Sequence, residues 1–160
     1  MQKSSKRIGE ILVEKGFITE AQLHDVLVEQ SFKKTFLGEL LIGKGWVSKR
    51  HFLESLSEQF NIPLLNLKEQ AVDMELSQKF SSSLLLDQKC FPLFKNEDTL
   101  TVAIANPLNA VAISKIEEEA QPYRVSLVLV DDDDLKELLE KYRQYVSQNI
   151  QRLLRKDKKI

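Results

Sequence analysis

Cysteine is nearly absent: Cys90 stands alone. No internal disulfide can form, and a reducing compartment, the cytoplasm, is the expected location. Long hydrophobic runs are missing too. None approaches the ~20 apolar residues that cross a bilayer, so no transmembrane segment is expected. The opening "MQKSSKR" is basic, but "IGEILVEKG" follows it with two glutamates and a lysine. That is not the apolar core of a secretory signal. Charge of one sign is also lacking. A formal net charge of −1 argues against a nucleic-acid binder, which would carry a strong basic excess. The two histidines, His24 and His51, have no zinc spacing, and nothing local supports a Ser/Cys–His pair. The expectation is a protein that is not an enzyme and holds no metal or cofactor. What remains is 42% apolar and 29% charged residues, ordinary for a globular chain long enough for one domain or two small ones.

Glycines are few, yet three of the five cluster in "GELLIGKGWV". Gly38, Gly43 and Lys44 match a P-loop, G-x-x-x-x-G-K-[ST], but Gly45 stands where the magnesium-binding hydroxyl belongs. An internal repeat explains the stretch better. Residues 7–30, "RIGEILVEKGFITEAQLHDVLVEQ", align without gaps to residues 36–59, "FLGELLIGKGWVSKRHFLESLSEQ", with "SFKKT" between them. Eight positions are identical: Gly9/Gly38, Glu10/Glu39, Leu12/Leu41, Lys15/Lys44, Gly16/Gly45, Leu27/Leu56, Glu29/Glu58 and Gln30/Gln59. Gly43 pairs with Glu14, and Lys44 with Lys15 in a block with no P-loop spacing, so the P-loop reading falls.

Each block reads as two helices. The first is short and apolar (Ile8 to Lys15; Leu37 to Lys44) and ends at Gly16 or Gly45, placed as left-handed cap glycines. Thr19 and Ser48 read as N-caps of the second. There Leu23 with Leu27, and Phe52 with Leu56, lie four apart on one face, and Gln30 and Gln59 continue it.

Beyond the repeat, Ser77 to Lys89 reads as a moderately amphipathic helix. "CFPLFK" and "TLTVAIA" around "NED" read as a β-hairpin, with Pro92 at an edge or strand start. "NPLN" opens a helix from Ala110 to Ala120, and "YRVSLVLV" is a third strand. Asp131 to Asp134 precede a long helix from about Leu135 and suit a helix N-terminus better than a metal site. The expected fold class is α+β. A helical tandem repeat of two helix pairs spans 1–67 and a small β-β-α-β-α subdomain 68–134; a long C-terminal helix with a basic tail spans 135–160. In that helix Leu135, Leu138, Leu139, Tyr142, Val146, Ile150, Leu153 and Leu154 form a roughly one-sided stripe. It suits a homodimer with a second copy, docking of a partner, or a frayed end; these alternatives stay open.

The twofold R-L-G-x-x-L-x-x-x-G-x-x-x-x-x-x-L-x-x-x-L-x-x-Q pattern resembles the tandem motif of the MshEN domain. That domain is N-terminal in type II secretion and type IV pilus assembly ATPases. "NIPLLNL", "CFPLFKNEDTLTVAIANPLNAVAISKIE" and "RVSLVLVDDDDLKELLEKY" resemble its second half, so the likeness covers about residues 5 to 146. It implies binding of cyclic di-GMP and signalling to a protein partner in motility, pilus or secretion machinery. The ligand is a two-fold ring with two guanines and two phosphates, and two blocks offer two half-sites. Helix starts at Ile8-Gly9 and Leu37-Gly38 present unpaired N–H groups to phosphate, and the glycines allow close approach. Arg7 can make a charge-assisted contact or stack on a guanine. Ile8, Leu23, Leu27, Leu37, Phe52 and Leu56 can cover purine faces, and Gln30 and Gln59 can bond guanine edges or backbone. A purely structural helix repeat, with Arg7 a surface arginine, is the alternative.

The chain departs from the pattern at Phe36, where the second block lacks the arginine, although an aromatic can stack there. It departs again at Asn106, where the family often has an acid able to pair with guanine. Each lost charged hydrogen bond costs about 1.5–3 kcal/mol, roughly ten- to a hundredfold in affinity. No ATPase module follows, so a standalone receiver domain, or a piece cut from a longer protein, is expected. A degenerate adaptor that binds only protein is the alternative function, and another purine nucleotide a weaker third.

Overall fold

The computed structural model describes residues 7–157, without the side chains of Leu153 and of residues 155–157. The expectations placed on residues 1–6, on the Leu153 side chain and on the basic tail lie outside the described residues. The chain divides into two compact units, Met1–Leu64 and Leu65–Ile160. The fold is α+β, with helices first, then a three-stranded sheet and a long last helix.

The first unit holds α1 (Ile8–Glu14), α2 (Glu20–Phe32), α3 (Leu37–Gly43) and α4 (Lys49–Phe60). The repeat is visible in its turns. Phe17 N–H donates to Leu12 O at 3.0 Å and Gly16 N–H to Val13 O at 3.0 Å. Trp46 N–H to Leu41 O (3.1 Å) and Gly45 N–H to Ile42 O (3.0 Å) repeat the pattern. Both closures need a left-handed residue, and Gly16 (φ +77°) and Gly45 (φ +73°) supply it. Thr19 closes a capping box with Gln22, and Ser48 accepts from His51 N–H at 3.1 Å. The core joins Leu12, Ile18 and Val26 to Leu41 and Val47. The repeats interlock, because α1 packs on α4 and α2 on α3.

The second unit centres on β1 (Cys90–Asn96), β2 (Thr99–Ile104) and β3 (Arg124–Leu129), in the order β1-β2-β3. The β1–β2 hairpin is antiparallel, with a register shift between Pro92 and Phe94 on the edge strand, where a missing N–H is tolerated. β3 runs parallel to β2 through a crossover that includes α6 (Ala110–Ala120). Central β2 is buried from Leu100 to Ile104, as a strand between two partners and under helices should be. α7 (Asp132–Asp157) buries Leu135, Leu138, Leu139 and Tyr142, with Tyr142 edge-on to Phe91 at 5.4 Å. Further along it, Ile150 and Leu154 are exposed. Among the described residues no helix is long and apolar enough to cross a membrane.

Two expectations are corrected. The helix read over Ser77 to Lys89 is broken. A 3-10 turn covers Met74–Lys79, and α5 is only Ser82–Asp87. Phe80 is extended and buried between them, and Ser81 restarts the helix by accepting from Leu84 N–H at 3.3 Å. Glu119 of α6 pins that break by accepting from Ser81 N–H at 2.7 Å, a partner that local sequence cannot show. The last helix begins at Asp132 rather than near Leu135. Asp131 Oδ1 accepts from Asp133 N–H at 2.8 Å and from Asp134 N–H at 3.3 Å, so the aspartates after it form the first turn.

Candidate functional site

The two short helices start alike. Arg7 (φ −71°, ψ 151°) and Phe36 (φ −69°, ψ 142°) are their N-cap residues, and neither helix start has a side-chain cap, unlike α2 and α4. Each helix is only seven residues long, so little macrodipole backs the unpaired amides. Attraction for an anion here rests on side chains, and Arg7 is exposed at the first start.

Gly9 and Gly38 are buried. A Cβ on Gly9 would lie 2.6 Å from Leu23 Cδ1, and one on Gly38 would lie 2.5 Å from Phe52 Cζ. The glycines therefore make room for Leu23 and Phe52, which pack onto the starts of α1 and α3. The contact is the same in both repeats, with a ring in place of an isobutyl group in the second.

The remaining candidates split. Ile8 and Leu37 are partly buried against the core of the first unit. Leu27 is 48% exposed, whereas its counterpart Leu56 is 8% exposed. Phe36 is 66% exposed, an open aromatic face. Gln30 Nε2 donates to Thr35 O at 3.1 Å, tying the end of α2 to the residue before Phe36. Gln59 Oε1 is buried with no hydrogen-bond partner among the described residues. Such an acceptor carries a cost that a donor reaching it would relieve. Asn106 belongs to the second unit, where its Oδ1 accepts from Leu108 N–H at 3.0 Å and shapes the turn before α6.

Sequence reasoning left four repeated charges without a role. Lys15 Nζ lies 2.7 Å from a Glu58 oxygen, and Lys44 Nζ lies 2.9 Å from a Glu29 oxygen. Lys15 matches Lys44 and Glu29 matches Glu58, so each repeat gives a lysine to the other's glutamate. Their identity in both blocks was the available signal; the pairing needed the fold. Hydrogen bonds from Lys44 and then Lys33 hold the Glu29 carboxyl below its ordinary value. His51 stacks on Phe17 at 4.2 Å. Burial pushes the Cys90 thiol up to about 12, which makes it a core residue and a poor nucleophile.

Known proteins resemble the chain in sequence and in fold. The chain is 25% identical over 138 residues to the type IV pilus assembly ATPase PilB of Myxococcus xanthus, covering 86% of this chain and 24% of that protein. It is 24% identical over 127 residues to PilB of Thermus thermophilus, covering 76% of this chain and 14% of that one. The chain thus spans about a quarter or less of these curated relatives. A solved structure of MshE with cdg superposes with a TM-score of 0.80 at 26% identity, covering 86% of this chain and 99% of the other. Coverage that broad cannot be reached without part of the tandem repeat. The N-terminal domain of XpsE matches in fold, with a TM-score of 0.64 at 24% identity over 88% of this chain and 96% of the other. The sequence profile of the MshEN domain matches residues 60–149, from the end of α4 into α7. With more than half of its residues matched in this way, the chain belongs to the MshEN domain family.

Proposed function

We propose that the chain is a cyclic di-GMP effector that signals to a protein partner in motility, pilus or secretion machinery. The observation that carries this reading is the likeness to MshE with cdg, shorthand for cyclic di-GMP, over 86% of this chain. The repeat supports it from the residues upward. Arg7 supplies charge and guanidinium donors, Phe36 an open ring, Leu27 an exposed apolar face and Gln59 an unsatisfied acceptor. Ile8, Gly9, Leu23, Leu37, Gly38, Phe52 and Leu56 form the packed floor beneath, and Gln30 holds the segment that presents Phe36. On this reading the chain acts by binding rather than by chemistry, in the cytoplasm.

The adaptor reading, in which the repeat keeps its fold and binds only protein, draws on the occupied Asn106 carbonyl and the missing arginine at Phe36. Calorimetric titration of the chain with cyclic di-GMP separates the two. Saturable binding that weakens in Arg7→Ala supports the effector; no heat at millimolar ligand supports the adaptor.

A further inference from the structure

The interlocking of the repeats has a consequence for ligand choice. Exchanging the two blocks turns the Lys15–Glu58 pair into the Lys44–Glu29 pair, and the Gly9–Leu23 contact into the Gly38–Phe52 contact. It also turns the packing of α1 on α4 into that of α3 on α2. The blocks are therefore related in space by an approximate two-fold, not merely aligned in sequence. Under that exchange Arg7 and Phe36 swap places. Their backbones agree to within a few degrees in φ and about ten in ψ. Their chemistry does not agree.

A guanidinium reads a purine. Its forked donors match the O6 and N7 acceptors of guanine, whereas adenine sets an amino donor where O6 would be. A phenyl ring offers a stacking face and no hydrogen bond, and every base has a matching face. Phe36 is 66% exposed, so the face is open. Gln30, fixed to Thr35 O, holds the preceding residue in place.

Resting on the reading of this unit as a cyclic dinucleotide site, we infer that the half-site at Phe36 accepts either purine while the half-site at Arg7 requires guanine. The protein then takes a cyclic guanosine–adenosine dinucleotide as well as cyclic di-GMP. A two-fold ligand has two equivalent orientations on such a site; a mixed ligand has one productive orientation, with its guanine at Arg7.

Titration calorimetry of the chain with cyclic di-GMP, the mixed dinucleotide and cyclic di-AMP tests this. The first two bind within about threefold of each other, because stacking tolerates either base. Cyclic di-AMP binds about tenfold or more weaker, because neither base suits Arg7. Phe36→Arg restores discrimination and separates the first two by about tenfold. Thermal melting confirms that this exposed substitution leaves the fold intact. A mixed dinucleotide weaker than cyclic di-GMP by more than about threefold in the unmodified chain overturns the inference and leaves the effector reading standing. So does a Phe36→Arg ratio that does not move, or a cyclic di-AMP affinity equal to that for cyclic di-GMP. Absence of binding by all three overturns the effector reading itself, and this inference with it.

Discussion

Three glycines of the repeat behave differently because of what lies beside them. Gly38 sits under the Phe52 ring and Gly9 under Leu23, so a methyl group at either position would force that side chain to shift. Gly38→Ala and Gly9→Ala are expected to cost about 1–3 kcal/mol by overpacking. Gly43 faces open space at the end of α3, and Gly43→Ala is expected to be neutral or to stabilise by up to about 0.5 kcal/mol. Urea midpoints of the three variants check the order. Charge is a second residue-scale matter. Glu29 has its carboxyl held below 4.5 by Lys44 and Lys33, so its ion pairs stabilise the fold above the unfolded value. That contribution disappears as pH falls through the lower folded value. The gap in melting temperature between the unmodified chain and Glu29→Gln should be present at neutral pH and close in acid below 4.5. A gap independent of pH would mean that the carboxylate charge plays no part.

Elements were legible where their signals are local. The left-handed glycines and hydroxyl caps placed the four repeat helices, and the β-rich runs around turn residues placed the hairpin. α6 lies where the "NPLN" start signal put it, and Asn109 Oδ1 caps it by accepting from Ala112 N–H at 3.1 Å. Legibility stopped where an element depends on distant partners. The break at Phe80–Ser81 is fixed by Glu119, far along the chain, and nothing local says that β3 runs parallel to β2. In the site, Gln30 pairs with the backbone only because the linker folds back to it, and the cross-repeat ion pairs require α1 on α4. The stripe of α7 looked continuous in sequence but divides in space. Tyr142 is packed edge-on against Phe91 and shares a 2.7 Å hydrogen bond with Ser82, whereas Leu154 is exposed. Tyr142→Ala should cost about 3 kcal/mol or more, and Leu154→Ala within about 0.5 kcal/mol of nothing. Denaturant unfolding of both variants checks this.

At the scale of the molecule, a tandem helical unit is followed by a unit built on a three-stranded sheet, and family membership rests mainly on the second. The ligand reading rests mainly on the first, on two helix pairs that exchange partners and bring an arginine and a phenylalanine to equivalent positions. The proposed function places Arg7 in a cyclic di-GMP site. Titration of the unmodified chain and of Arg7→Ala by calorimetry tests it most directly. Saturable binding to the unmodified chain is expected, with a loss of about ten- to a hundredfold in Arg7→Ala, the size of one charged contact removed. Equal affinities for the two proteins, or no binding to either at millimolar ligand, would contradict it.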